Sequence, residues 1–189
     1  MRPGTVIPLG PDNARVTFLV RWFGLLRVDG WFSSLEGRLH VADGVNGIEV
    51  TADVSARSVQ TGIGLRDRHL RGPRFLHADR NPRILFRGTG TWRDGLTPVL
   101  AGHLTLRGSD RWIEARCVVV PETRAEKPGT EVVIADFTIP RRDHGIAVAT
   151  GLSRFNPLLW AIGESVGVRV EVHVPVAVLR PEPALARGR

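Results

Sequence analysis

The sequence predicts an all-β protein: roughly eight strands in an antiparallel barrel, the strand number that encloses one small ligand, with two short helices. Three observations carry that prediction. Apolar and polar residues alternate with period two from one end of the chain to the other, so each strand turns one face inward and one to water. The alternating stretches are separated by turn chemistry at Asp43-Gly44, Asn46-Gly47, Asp94-Gly95, Gly108-Ser109-Asp110 and Pro128-Gly129. An open sheet of this size would leave exposed edges prone to aggregation, so closure into a barrel is expected.

The first strand sets Val16, Phe18 and Val20 against Arg15, Thr17 and Arg21. A second spans Val28 to Val41, and a third alternates Ile48, Val50, Ala52 and Val54 with Gly47, Glu49, Thr51 and Asp53. Further strands fit Arg83 to Trp92, Val99 to Leu106, Arg111 to Val120 and Glu131 to Ile139. The last carries an unbroken valine stripe from Val166 to Val178, with Arg169, Glu171 and His173 on its other face. One short helix is expected over Gly64 to Arg71. Another starts with Asn156 as N-cap and Pro157 in the first turn, and carries Leu158, Leu159 and Ile162. Residues 1–13 and 180–189 are rich in Pro, Gly and Arg and read as loose ends around one domain at 14–179.

Composition narrows the function classes. The 189 residues are 42% hydrophobic, with no apolar run approaching the ~20 residues a spanning helix needs. Met1-Arg2-Pro3-Gly4 opens on polar residues, and the first apolar stretch is interrupted by Arg15 and Arg21. No secretory core is legible there, and a cytoplasmic location is expected. The formal charge of +7 raises the question of nucleic acid. The basic residues are almost all arginine, with Lys127 the sole lysine, and lie scattered among acids. A diffuse positive surface is therefore expected, compatible with weak attraction to anionic lipid and with no nucleic-acid partner. Cys117 is the only cysteine and alternates with Ala115 and Val119, as a packed thiol would.

The densest motif lies between Ser58 and Phe86. It reads S-V-x-T-G-x-x-x-R-D-x-H-L, then Phe75, then P-x-I-x-F from Pro82 to Phe86. Taken alone, Arg66, Asp67 and His69 invite a catalytic or metal reading, with His77 and Asp79 as further donors. A metal-assisted hydrolase or isomerase using Asp67 and His69 is the alternative this leaves. Against it, the spacing is not that of H-E-x-x-H, and there is no Cys-x-x-Cys, G-x-S-x-G or phosphate loop. The structural reading makes the three residues a hydrogen-bonded turn: Asp67 accepts from backbone N–H groups, Arg66 pairs with a carboxylate, and His69 pins the turn to the rim. No catalytic residue, metal or cofactor is expected.

The pattern resembles the signature of the YceI-like family, lipocalin-like barrels that bind long isoprenoid or other lipid chains. The resemblance extends through Val28-x-Gly30-x-Phe32, Leu104-Thr105-Leu106-Arg107-Gly108, Arg142-Asp143-His144-Gly145-Ile146 and the final strand. Trp22 stands where many members have His, His144 where they usually have Phe, and Ser109-Asp110-Arg111-Trp112 departs from V-T-[RK]-P. The resemblance implies a non-enzymatic carrier, store or sink for an isoprenoid or similar amphiphile.

Alternation and resemblance together select the lining of such a lumen. Phe18, Val20, Phe32, Val50, Val54, Ile84, Phe86, Leu104, Ile134 and Val170 are expected to face inward. Leu70, Phe75 and Leu76 are placed at one end as a gate, and Trp22 and Trp160 as end plugs or head-group contacts. Burying about ten methylenes at ~0.8 kcal/mol each yields roughly 8 kcal/mol before ordering costs, so a longer chain binds more tightly. The partner expected is a long-chain lipid; an anionic membrane surface and a homodimer stay open.

Overall fold

The computed structural model describes residues 4–22, 26–41, 47–93, 97–121, 129–147 and 162–176. In chain order the strands are β1 (Val6–Leu9), β2 (Ala14–Trp22), β3 (Leu26–Phe32), β4 (Leu35–Val41), β5 (Gly47–Ser55) and β6 (Val59–Gln60). After helix α1 (Gly64–Arg71) come β7 (Arg83–Arg93), β8 (Thr97–Leu106), β9 (Ser109–Pro121), β10 (Thr130–Pro140) and β11 (Ile162–Pro175). Short 3-10 turns occupy Ala56–Ser58 and Arg141–His144. All strand pairs are antiparallel, in one sheet ordered β1-β4-β5-β7-β8-β9-β10-β11-β2-β3-β6.

The all-β class is as expected, but the described residues form eleven strands rather than roughly eight. Val28 to Val41 is two strands, not one. Ser33 and Ser34 bend between β3 and β4, and their backbone N–H groups donate to the Ser58 carbonyl and hydroxyl at 3.2 and 3.1 Å. The bend carries the chain from one end of the sheet to the other. The short β6 pairs with β3 through Trp31–Gln60 and Phe32–Val59. The N-terminal segment expected to be loose contains β1, which pairs with β4 from Val6–His40 to Leu9–Gly37. Pro8 disguises it, yet Ile7 and Leu9 alternate inward and are buried, and the proline is tolerated because an edge strand can spare one N–H. Among the described residues the ladder does not join β1 to β6, and the sheet curls into a half-barrel instead of closing by backbone pairing. The helix expected from Asn156 lies outside the described residues.

Side chains pack the two ends and leave the middle hollow. Ile7, Leu9, Leu35, Leu39, Val41 and Val174 form a cluster at the end where β1, β4 and the close of β11 meet. Leu104, Leu106, Ile139, Ile146 and Ala147 form a second at the opposite end, with Phe75 and Leu76 against it. Between them the wall of β9 and β10 carries small residues, Ala115, Cys117 and Ala135. Gly30 is one place where only a glycine fits: a Cβ there would overlap the Phe18 ring and sit 2.7 Å from the Gln60 carbonyl. The missing side chain lets Phe18 lie across β3 toward Phe32, with ring centroids 5.7 Å apart.

Candidate functional site

The hollow is a cavity of about 830 Å³ running between the two clusters. Its walls come from the inward face of nearly every strand, and most of that lining is Val, Leu, Ile, Phe and Ala. Phe18, Val20, Phe32, Val50, Val54 and Leu70 line it, as do Phe75, Leu76, Ile84, Phe86, Leu104 and Val170. The structure therefore brings together twelve of the residues selected from sequence. Ile134 is a correction: it is not part of the wall, and its neighbours Val133 and Ala135 are. Val132 to Ala135 are all apolar, so alternation could not show which parity faces inward. Registry with the neighbouring strands decides it, since Ala135 lies opposite Cys117 and Val170, both lining residues. The Trp22 side chain and Trp160 lie outside the described residues.

Polar lining is concentrated at one end. Arg66, Arg68, His69, Arg74 and Arg141 all border the cavity there, whereas among the described residues the other end offers Thr91. No aspartate or glutamate is among the lining residues described. Sequence reasoning missed Arg68, Arg74 and Arg141 as wall residues. Arg68 sits in the motif and Arg74 beside Phe75, but nothing in the sequence states which way their side chains point.

The motif explains how this end is built. Gly62 has φ of +79°, which favours glycine and turns the chain from β6 into α1. The Thr61 hydroxyl donates to Asp67 Oδ1 at 2.5 Å and accepts from Arg66 Nε at 2.8 Å, while Arg66 Nη2 donates to the Thr61 carbonyl at 2.9 Å. Arg66 thus meets Thr61 and not the carboxylate expected, and Asp67 accepts from a hydroxyl and not from backbone N–H groups. The physical reason is the turn at Gly62, which folds Thr61 back against the first turn of α1. Arg71 donates to the Arg57 and Val59 carbonyls at 2.7 and 2.8 Å, fastening the far end of the helix. His69, expected to pin the turn, is exposed, and its side chain has no hydrogen-bond partner among the described residues. The same holds for the side chains of Arg68 and Arg74.

A second set of contacts closes the rim. Arg107 and Gly108 both have positive φ, making the tight β8–β9 hairpin turn. Arg107 donates to the Phe75 and Gly145 carbonyls at 2.6 and 2.7 Å. Arg141, 5% exposed, donates to the carbonyls of Gly163, Ile146 and Ala147 at 3.0, 3.1 and 2.6 Å. Burial lowers the affinity of both guanidinium groups for their protons, yet an arginine stays charged under any ordinary condition. His144, 3% exposed, donates from Nδ1 to the Leu106 carbonyl at 3.2 Å. Its pKa is pushed below the ordinary 6.5, chiefly by burial and further by Arg111. Cys117 lines the wall with its pKa raised, mainly by burial, so the thiol stays protonated.

The donors of the alternative metal reading do not converge. Asp67 is engaged by Thr61, and Asp79 pairs with Arg57 at 2.5 Å. Among the described residues no three of His, Cys, Asp or Glu group as a metal site would.

Comparison with known proteins agrees with the architecture. The family model for the YceI-like domain matches residues 8–174. A UPF0312 protein of Pectobacterium carotovorum is 28% identical over 98 residues, as is the Salmonella arizonae protein YceI, the alignments covering 51% of each chain. The match thus spans about half the length of these curated relatives. Among solved structures, Burkholderia cenocepacia BcnA superposes with a TM-score of 0.69 at 13% identity, covering 85% of this chain and 96% of that one. A polyisoprenoid-binding domain from Saccharophagus degradans, implicated in plant cell wall breakdown, superposes with a TM-score of 0.63 at 13% identity, covering 91% and 98%. At such identities these two likenesses establish the fold. With the family model covering most of its length, the chain belongs to the YceI-like family.

Proposed function

We propose that this protein binds a long-chain isoprenoid or similar amphiphile without turning it over, and so carries, stores or sequesters it. The observation that carries the reading is a cavity with apolar walls whose cations, among the described residues, stand at one end. Its volume lies in the upper part of the range of about 300–1,000 Å³ usual for small-molecule sites. An apolar tail gains from burial along the walls, at ~0.8 kcal/mol per methylene, and the wall discriminates little between prenyl and acyl chains. The head group then rests at the end bordered by Arg68, His69 and Arg74. The description of the Saccharophagus degradans domain as polyisoprenoid-binding points the same way.

The non-enzymatic half of the proposal is supported by what the motif does. Arg66, Asp67 and Thr61 are spent on one another, as a clamp holding α1 across the cavity end. Native mass spectrometry of gently purified protein is expected to show an added apolar ligand that organic extraction releases. Repeated extraction yielding nothing, with no binding of fluorescent prenyl or acyl probes, would remove the proposal.

A further inference from the structure

We infer that the outer face of α1 is a docking surface for an anionic lipid bilayer, set beside the end of the cavity through which a ligand passes. The inference rests on the binding function proposed for the cavity and assigns where a water-insoluble ligand is exchanged.

The helix divides its faces three ways. Arg66, Arg68, His69 and Leu70 border the cavity. Asp67 and Arg71 hold the helix to Thr61, Arg57 and Val59. Leu65 lies on the remaining face, and Arg68, three residues on, stands between it and the cavity border. Leu65 is 65% exposed and Ile63, immediately before the helix, 53%. These are large apolar side chains that a soluble fold has no internal reason to present together. Trp31, 39% exposed, stands opposite Gln60, three residues before Ile63, and is a third exposed apolar side chain on the strand paired with β6.

Charge identifies the occupant. Between Ala56 and Arg83 the chain has seven arginines and two acids. Of the acids, Asp67 is buried against Thr61 and Asp79 is neutralised by Arg57. The surroundings of Ile63 and Leu65 are therefore cationic, with Arg68, Arg74 and Arg80 exposed. Apolar side chains flanked by arginines match the boundary between anionic head groups and acyl chains, where the apolar groups insert and the guanidinium groups pair with phosphate. Docked this way, the protein brings the cationic cavity end to the head-group layer.

Flotation with phosphatidylcholine vesicles containing about 30 mol% phosphatidylglycerol, against pure phosphatidylcholine, tests the inference. Binding is expected to the anionic vesicles alone, and added salt should weaken it by roughly fivefold for each arginine whose attraction to the surface is screened. The double variant Ile63→Ser, Leu65→Asp changes exposed residues outside the cavity wall, and is expected to reduce vesicle affinity by at least about tenfold. A fluorescent prenyl probe added without vesicles should bind the variant as it binds the parent. Its transfer from labelled vesicles should accelerate with vesicle concentration for the parent and not for the variant. Equal binding to neutral and anionic vesicles, no binding to either, or a variant that floats like the parent would overturn the inference. Failure of the vesicle-free probe titration would instead strike the cavity reading, and flotation would still decide the docking.

Discussion

Replacing Ala135 by valine, leucine and phenylalanine in turn grows a side chain from the middle of the β9–β10–β11 wall. Ala135 is 4% exposed, lies in register with Cys117 and Val170, and borders the cavity of about 830 Å³. In a solid core each step would overpack, and the phenylalanine would cost ~1–3 kcal/mol of stability. Facing open space, the ring enters the cavity instead, and stability should change by less than about 1 kcal/mol. The ring occupies the room of about three methylenes of a bound tail, worth ~0.8 kcal/mol each. Affinity for a long-chain prenyl probe should therefore fall by about 2.4 kcal/mol, roughly 60-fold, with the smaller side chains in between. Urea denaturation and fluorescent-probe titration on the same samples read the two quantities separately. A phenylalanine variant that loses ~1–3 kcal/mol of stability while binding the probe unchanged would refute both the cavity and the placement of the ligand in it.

The pKa of His144 provides a pH test. It is depressed in the fold, mainly by burial, so the unfolded chain binds the proton more tightly. Its contribution is present above the ordinary value of 6.5 and is lost as pH falls from there toward the depressed folded value. Stability measured between about pH 7 and 5 should therefore decline, with His144→Phe showing a shallower decline; equal slopes would refute the assignment. Arg141→Met removes three bonds to carbonyls. At ~1.5–3 kcal/mol per charge-assisted bond, losing the equivalent of two costs about 3–6 kcal/mol, visible as a lower urea midpoint. Arg74→Glu should weaken binding of a prenyl phosphate severalfold while leaving the matching prenyl alcohol nearly unchanged, as read by competition titration. Equal loss for both would mean that Arg74 acts through folding and not through charge.

Much of the local structure is legible in the sequence because it depends on local chemistry. The span Gly64 to Arg71 folds as the expected helix, and the alternating runs around Val50, Phe86 and Val170 fold as strands with those side chains on the cavity wall. Where both faces of a strand are apolar, as at Val132 to Ala135, parity carries no information, and alternation selects Ile134 in place of its neighbours. Pro8 conceals β1, because edge position, which makes a proline tolerable, is a property of the sheet. The partners of Arg66 and Asp67 depend on where the turn at Gly62 returns Thr61, and local spacing does not state that.

By itself, then, the sequence determined the strand class, the motif that marks the family and the apolar character of the inward faces, since each follows from the spacing of side chains along an extended backbone. Only the tertiary structure decided that the sheet curls without joining β1 to β6, that its small wall residues leave room, and that Arg68, His69 and Arg74 gather at one end. Curl and shear bring residues far apart in sequence onto one surface, and a cavity is a remainder of packing among many strands that no single strand encodes.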